Sequence, residues 1–322
     1  MTARTSILLT LALALAFAAS ALLPFESLQI LFGEDRALAI SLLVELRLPR
    51  ALLALAYGAT LGASGAAIQA LFANPLASPD LTGTTSGAAL GAVVTAYLFG
   101  FAAPVALSIG SVLGAIGALG LLLALAGPKA ETATLLLAGL AISALAGALT
   151  TLALALAPSP FAFYDAYDWL MGSLIDRSLD QAAFACLPAL VTIALLLRLG
   201  PALDRLSLGE EVAQSLGHDV ARLRLLVICL TAFGVGCCVA ICGAIGFIGL
   251  IAPIFARRLT GGHPGRAILP AALIGALLLT AADLATRLAP LGRTLPIGVV
   301  TALIGAPFFL WLVAHMRWRI RP

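Results

Sequence analysis

The chain has 322 residues, of which 62% are hydrophobic and only 10% are charged, and its formal net charge is +3. A soluble domain carries about 25% charged residues, so this composition excludes a soluble enzyme and indicates a helical membrane protein that crosses the bilayer many times. No basic face could form outside short loops, which argues against nucleic-acid binding.

Ten apolar runs predict ten membrane spans, since one crossing takes about 20 residues. They are residues 6–24, 51–72, 81–100, 104–126, 132–157, 181–199, 223–243, 246–259, 267–288 and 296–315. The first run follows Arg4 and resembles a signal peptide, but in a chain with many later spans we expect an uncleaved helix. The run at 30–46 has charged edges and is not counted as a span. The short eighth run is interrupted by Pro253 and by glycines.

Basic residues indicate the orientation of these spans. With the N-terminus inside, the predicted inner loops hold twelve basic residues and the outer loops hold six. The inner set is Arg4, Lys129, Arg198, Arg205, Arg222, Arg224, Arg257, Arg258, Arg266, Arg317, Arg319 and Arg321. The outer set is Arg36, Arg47, Arg50, Arg177, Arg287 and Arg293. This excess satisfies the positive-inside rule, so both termini are predicted to be cytoplasmic.

Small residues are frequent in the spans, for example Gly58, Gly62 and Gly65 in the second. Because small residues let helix backbones approach closely in lipid, we expect tight packing there. The second and seventh spans run in opposite directions, and each ends in an irregular segment with proline, at 74–79 and 251–253. This pairing hints at an inverted repeat, which is a common plan among transporters.

The inner loop at 200–222 predicts a short amphipathic helix at the cytoplasmic surface. Ser207 is a candidate N-cap with Glu210 three residues later, which is the pattern of a capping box, and Gly217 is a candidate stop. A helix that lies on lipid is one interpretation. Glu210 and Glu211 suit the helix dipole but make anionic lipid a poor partner, which favours a protein partner.

Charged residues also lie at the predicted outer surface. Arg47 and Arg50 flank the helix-starting Pro49, either as snorkelling anchors or as a docking site for an acidic partner. Asp283 and Arg287 are spaced i,i+4 in the ninth span. An ion pair between them is the main interpretation, and a proton relay at Asp283 is the alternative.

The segment Gly62–Gly65 matches the Gly-x-Ser-Gly pattern of intramembrane serine proteases around Ser64. Such an enzyme needs a histidine at membrane depth to activate the serine. However, His218, His263 and His315 are all predicted at cytoplasmic ends or loops. A protease is therefore the least favoured hypothesis.

Motifs in a fixed order along nearly the whole chain resemble those of one family. They are Arg47-Leu48-Pro49-Arg50, Gly65 to Gln69, Asn74-Pro75-Leu76-Ala77-Ser78-Pro79, Trp169-Leu170-Met171-Gly172-Ser173, Leu208-Gly209-Glu210 to Leu216-Gly217, Gly246-Phe247-Ile248-Gly249-Leu250, Leu269-Pro270, Gly275-Ala276, Ala282-Asp283, Leu295-Pro296-Ile297-Gly298-Val299 and Gly305-Ala306-Pro307. Together they resemble the FecCD-type permeases, the membrane subunits of importers for ferric siderophores, haem and vitamin B12. Two positions depart from the family: Ile254 stands where histidine is usual, and Thr294 where glutamate is common.

The resemblance implies an all-α fold of ten helices in one permease domain, residues 1–322, in the bacterial inner membrane. It implies four kinds of partner: a second permease subunit, identical or related; two ATP-binding subunits; a periplasmic substrate-binding protein; and membrane lipid. No nucleic acid is expected. The ATP-binding subunits would hold ATP and Mg²⁺, so this chain is expected to have no cofactor and to be a transport subunit, not an enzyme.

The resemblance also assigns residues to roles. The family's coupling helix lies between the sixth and seventh spans, which places contacts to the ATPase within the inner loop at 200–222. The matching residues are Leu208, Gly209, Glu210, Glu211, Ala213, Leu216 and Gly217. Docking of acidic residues of the binding protein is assigned to Arg47, Arg50 and Arg287.

The sequence cannot supply a P-loop, because that loop needs Gly-Lys-Ser/Thr and the one lysine, Lys129, lies between Pro128 and Ala130. We therefore expect an importer subunit that a partner ATPase drives. The ligand stays open among ferric citrate, a hydroxamate, a catecholate, haem and cobalamin. The rival hypothesis is an ion-coupled secondary transporter, for which Asp283 is the one serious candidate at membrane depth.

Overall fold

The computed structural model describes residues 3–22, 36–97, 99, 104–127, 132–288 and 295–319, and within these ranges it is helical with no strand. The α-helices are α1 (Ala3–Leu22), α2 (Arg36–Ser41), α3 (Leu48–Leu71), α4 (Thr84–Tyr97), α5 (Pro104–Ala126), α6 (Thr132–Ala155), α7 (Pro160–Leu170), α8 (Leu179–Leu206), α9 (Glu210–Ser215), α10 (Val220–Cys242), α11 (Ile248–Leu259), α12 (Ile268–Leu288) and α13 (Ile297–Arg319). A π-helical segment, Leu42–Arg47, joins α2 to α3, and a 3₁₀ helix, Pro79–Thr82, precedes α4.

Each predicted span overlaps one of these helices, and residues 23, 24, 98 and 100 of the predicted spans lie outside the described residues. Within the described ranges, 6 helical stretches are long and apolar enough to cross a membrane. They are Leu42–Leu71, Val105–Ala126, Ala133–Ala155, Leu179–Leu206, Val220–Cys242 and Ile268–Arg287. Leu8–Leu22 and Ile297–Leu312 are apolar but shorter, as are α4 with 14 residues and α11 with 12. The chain is therefore a multi-pass helical membrane protein.

The helix that holds the second predicted span begins further upstream than predicted. The backbone is helical without a break from α2 through α3, although the charged run at 30–46 was excluded from the prediction. Pro49 has no N–H, and its ring crowds the carbonyl four residues back. In the π-helical segment just before it, the Leu48 N–H bonds to the Leu43 carbonyl. This wider turn gives room for the ring, so the helix passes the proline.

Glycines let α3 pack directly against its neighbours. A Cβ added at Gly62 would lie under 3.0 Å from the carbonyl oxygen of Ala271 on α12, and Gly58 makes a similar approach one turn earlier. A Cβ at Gly65 would meet the backbone of Gly249 on α11 equally closely. Only a hydrogen fits at these positions, so the predicted tight packing of small residues is confirmed.

Irregular backbone from three parts of the chain meets beside α3. The Ile297 N–H donates to the Gly172 carbonyl at 3.1 Å. The buried hydroxyl of Tyr57 donates to the Gly243 carbonyl at 3.1 Å and accepts from the Ile245 N–H at 3.3 Å. Non-helical backbone in a membrane protein must find such partners inside the protein. The motifs around these residues therefore serve packing.

The predicted irregular segment at 251–253 is helical, which corrects the sequence interpretation. Pro253 lies within α11, and the irregular backbone precedes that helix instead. Phe247 there has a φ of 66°, which is rare for a bulky residue. Pro79 packs against Gly249 at the start of α11. Pro79 of the first segment therefore lies beside Gly249, two residues before the second segment.

Candidate functional site

The short helix α9 lies between two glycines in conformations that favour glycine. Gly209 at its start has a φ of 113°, and Gly217 after its end has a φ of 83°. The Gly217 N–H donates to the Gln214 carbonyl at 2.9 Å, and the His218 N–H donates to the Ala213 carbonyl at 3.1 Å. These bonds form a Schellman motif, so the prediction that Gly217 ends the helix is confirmed.

The predicted capping box at the start of α9 is wrong. Ser207 still has helical backbone angles (φ −65°, ψ −13°) at the end of α8, and its hydroxyl donates to the Asp204 carbonyl at 2.7 Å. Gly209 is the N-cap of α9 and provides no side-chain cap. A capping box lies instead at the other end of α8, where Ser178 and Gln181 exchange hydrogen bonds of 3.2 and 3.0 Å.

One side of α9 is anchored to the bundle. The Ala213 side chain is buried in the same core cluster as Leu206 of α8 and Val220 of α10. Glu210 Oε1 lies 2.6 Å from Arg224 Nη2, and the arginine side chain is 9% exposed while the glutamate is 52% exposed. A force on α9 is therefore transmitted directly to α8 and α10.

The opposite side of this segment faces away from the protein. Leu208, Val212 and Leu216 are 65%, 43% and 56% exposed, and Glu211 is also exposed. Of the seven predicted coupling residues, Ala213 is the buried one and the other six are exposed. Exposed apolar side chains in a charged rim mark an interaction surface, which we name the α9 surface.

A second loop is bound to the same end of α8. The Gly265 N–H donates to Asp204 Oδ1 at 2.8 Å, and the backbones of Gly265 and Gly200 approach so closely that neither has full room for a Cβ. No periodicity or motif predicts this contact, since Asp204 and Gly265 lie 61 residues apart in the chain. The end of α8 that precedes the α9 surface is therefore held in place by this second loop.

At the other end of the bundle, which is predicted to be the outer end, Asp283 binds two arginines. Its side chain is 1% exposed, and its Oδ1 lies 2.7 Å from Arg50 Nη2. Its Oδ2 lies 2.5 Å from Arg287 Nη2. The predicted pairing of Asp283 with Arg287 is confirmed. Arg50, which was predicted as a snorkelling anchor or a docking residue, is a second partner contributed by α3.

Arg287 and a third arginine, Arg47, hold the end of α1. Arg287 Nη1 donates to the Ser20 carbonyl at 2.6 Å, and Arg47 Nη1 donates to the Leu22 carbonyl at 3.0 Å. Carbonyls at a helix C-terminus lack partners within the helix and attract cations. We call Arg47, Arg50, Asp283 and Arg287 the arginine cluster. With three guanidiniums and one carboxylate it keeps a surplus of positive charge.

Ser64 is placed poorly for catalysis. It is fully buried within α3, and no hydrogen-bond partner of its hydroxyl is present among the described side chains. A nucleophilic serine needs a base within hydrogen-bond reach and access for substrate. The geometry therefore gives no support to protease chemistry.

Comparison with known proteins gives a consistent result. Residues 6–315 match the FecCD transport family. The vitamin B12 import system permease protein BtuC of Vibrio cholerae is 41% identical over 295 residues, which cover 88% of this chain and 86% of that protein. The Fe(3+)-citrate import system permease protein YfmE of Bacillus subtilis is 39% identical over 269 residues, which cover 83% of this chain and 80% of that protein.

Solved structures share the helical arrangement. An inward-facing metal-chelate type ABC transporter superposes with a TM-score of 0.82 at 35% identity, covering 95% of this chain and 97% of that one. PsaBC from Streptococcus pneumoniae, in complex with Fab, gives a TM-score of 0.54 at 18% identity over 88% of this chain and 93% of that one. The second likeness concerns the fold alone.

Proposed function

The chain belongs to the FecCD transport family, and from this premise we propose that it is the permease subunit of an ATP-binding cassette importer for a metal chelate or a cobalamin. The cargo moves from the periplasm to the cytoplasm. Support comes from relatives named as permeases for vitamin B12 and for ferric citrate, which align over 88% and 83% of the chain.

The proposed assembly has ten helices of one domain, residues 1–322, across the bacterial inner membrane. Both termini are cytoplasmic, and the two halves form an inverted repeat. A second permease chain, identical or related, completes the path. Two ATP-binding subunits below it bind ATP and Mg²⁺, and a periplasmic binding protein delivers the cargo from above. The excess of arginine in the inner loops supports this orientation.

The α9 surface is the observation that carries this proposal. An exposed apolar patch on a short cytoplasmic helix fits a protein partner, and the acidic Glu210 and Glu211 disfavour anionic lipid. Closure of the nucleotide-bound ATPase dimer would push on α9. Because Ala213 and the Glu210–Arg224 ion pair link α9 to α8 and α10, the bundle would shift as a rigid body and open the path alternately to each side.

Charge introduced on the α9 surface is expected to uncouple the importer. Val212→Glu with Leu216→Glu should lower ATP-driven uptake into proteoliposomes by about tenfold or more, since each 1.4 kcal/mol of lost interface energy is tenfold. Both side chains are exposed, so the melting temperature should not change. Gln214→Glu, which adds charge on the same exposed helix, is the matched control.

Two results of that assay would count against the proposal. Normal uptake by the double variant would show that the ATPase does not bind the α9 surface. Uptake by the wild-type chain in vesicles that lack the ATPase would overturn the whole function. An ion-coupled carrier would give this second result, but both oxygens of Asp283 are bonded to arginines, which disfavours a proton relay there.

We also propose that Arg47, Arg50 and Arg287 dock acidic residues of the binding protein through the surplus positive charge of the arginine cluster. Arg47→Glu is expected to raise the dissociation constant by about tenfold, because a rim charge of the wrong sign repels the partner. Interferometry on nanodisc-embedded complex measures this. Arg205→Glu, an exposed change at the other end of the bundle, is the control. Equal affinity of Arg47→Glu and wild type would remove the docking role.

A further inference from the structure

A cavity of about 490 Å³ lies between the predicted inner ends of α5, α6 and α10. Its apolar lining comes from Leu123 of α5, Leu135 of α6, and Leu225 and Ile228 of α10. Its volume is within the range of small-molecule binding sites. The function proposed above does not use this cavity.

The apolar space continues along α5 and α10 towards the middle of the membrane. A second cavity, of about 60 Å³, is lined by Leu119, one turn before Leu123 on α5, and by Cys229 of α10. The two helices touch at its far end, where a Cβ added at Gly236 would lie 3.0 Å from the Cβ of Ala115. We name the two cavities together the α5–α10 groove.

The α5–α10 groove is open along its side. Ile116, Leu225 and Phe233 lie along it and are 57%, 42% and 47% exposed. The helical stretches that form it, Val105–Ala126 and Val220–Cys242, are both long and apolar enough to cross a membrane. Because a water-soluble partner does not enter the hydrocarbon core, an acyl chain suits this apolar part of the groove.

An arginine marks the predicted inner end of the groove. Arg222 lines the larger cavity and is exposed, and it forms no ion pair among the residues that the structure describes. The other charged groups of the lining are engaged within the protein. Asp219 accepts from the Arg222 N–H at 2.9 Å as the N-cap of α10, and Arg224 bonds to Glu210. The guanidinium of Arg222 therefore remains for an anion.

We propose that the α5–α10 groove binds a phospholipid of the cytoplasmic leaflet, with an acyl chain along the apolar lining and the phosphate on the guanidinium of Arg222. Guanidinium groups bind phosphate through paired hydrogen bonds, and basic pockets between spans on the cytoplasmic side are typical sites for lipid headgroups. The ATPase could reach Arg222 but not the apolar lining within the membrane. A span of a second permease chain would fill the lining but would bury the guanidinium without a counter-charge.

The groove adjoins the segment that is proposed to receive force from the ATPase. Arg224 lines the larger cavity and bonds to Glu210 of α9, so a bound lipid contacts the helix through which a push on α9 would pass. A lipid that fills the space between α10 and α5 would carry that displacement to α5. This consequence rests on the proposed function, whereas the binding of lipid does not.

The test measures the binding of phosphatidylglycerol to the permease–ATPase complex in detergent by native mass spectrometry, and we expect one tightly bound lipid per permease chain. Arg222→Gln should weaken its binding about tenfold, because the charge-assisted bonds to the phosphate are lost. Leu225→Trp should weaken it by filling the groove. The matched controls, Arg198→Gln and Leu190→Trp, change exposed residues of α8 that do not line either cavity and should bind lipid as wild type does.

Two further probes separate a lipid from other sources of phosphate. Phosphatidylethanolamine carries the same phosphate, and Arg222→Gln should weaken its binding too, whereas inorganic phosphate has no acyl chain and should not displace the lipid. Displacement by inorganic phosphate would overturn the inference, and so would unchanged lipid affinity in both groove variants. Loss of the ATPase or of the second permease chain from either variant, with the lipid retained, would assign the groove to that protein instead. ATP-driven uptake tests the proposed function separately, since lipid binding is measured without ATP.

Discussion

Replacing Gly62 with alanine is expected to prevent α3 and α12 from packing at their native distance. The added Cβ would lie under 3.0 Å from the backbone of Ala271, and a backbone carbonyl cannot rotate away as a flexible side chain can. Overpacking a core costs about 1–3 kcal/mol and sometimes more, and we expect the upper end here. Tryptophan fluorescence during thermal unfolding in detergent measures the loss of stability.

Gly147 provides the matched control for this variant. It lies in α6, and a Cβ at this position would meet nothing within 4 Å. Gly147→Ala should therefore leave the melting temperature unchanged or raise it slightly, since alanine favours a helix over glycine by about 1 kcal/mol. If Gly62→Ala is too unstable to purify, the monodisperse fraction of each variant in a detergent extract replaces the melting curve. Equal behaviour of the two variants would contradict the close approach of the helices.

Replacing Asp283 with alanine is expected to cause a comparable loss of stability, in this case at the predicted outer end of the bundle. The variant leaves the guanidiniums of Arg50 and Arg287 close together without their shared carboxylate, although these side chains are only 18% and 9% exposed. Removing one member of a buried ion pair costs about 3–5 kcal/mol, because the remaining charge is uncompensated. The melting temperature in detergent should fall accordingly.

A double variant separates the charge effect from simple loss of packing. Asp283→Leu with Arg287→Leu removes one stranded guanidinium, and the remaining Arg50 keeps its hydrogen bond to Thr286 at 3.3 Å. We expect this variant to be more stable than Asp283→Ala, since apolar replacements of buried ion pairs are often neutral. If Asp283→Ala melted at the same temperature as the wild type, the arginine cluster would contribute nothing to stability.

The sequence predicted most of the helices, because a long apolar run in a bilayer must form a helix to satisfy its backbone hydrogen bonds. The predictions were wrong at helix ends and at prolines, where single residues decide the backbone conformation. The helix upstream of Pro49 was excluded because its edges are charged, and a π-helical turn is not legible from composition. Ser207 matched a capping pattern, but α8 continues through it and Gly209 begins the next helix. Pro253 was read as irregular although it lies within α11.

The candidate sites could be predicted where their residues lie close together in the sequence. Gly217 and the short helix before it lie within one loop, so residue type and spacing predicted that helix and its end, whereas its assignment to the ATPase came from the family resemblance. The ion pair of Asp283 with Arg287 follows from i,i+4 spacing. Arg50, the second partner of Asp283, lies 233 residues away from it in the sequence, and no local sequence pattern predicts that contact. The start of α7 was legible from the sequence but was not predicted, since Pro158, Ser159 and Pro160 follow α6 and Ser159 caps the new helix.

The length of α8 has a mechanical consequence. Its 28 residues rise by about 42 Å at 1.5 Å per residue, from the turn that follows α7 to the residues that precede α9. The helix therefore connects the end of the bundle that holds α7 with the end that holds α9, and Pro188 and Pro201 lie within it. A tilt of roughly 5° displaces its far tip by about 4 Å. If the ATPase pushes on α9 as proposed, a tilt of α8 would therefore move the residues at its other end as well.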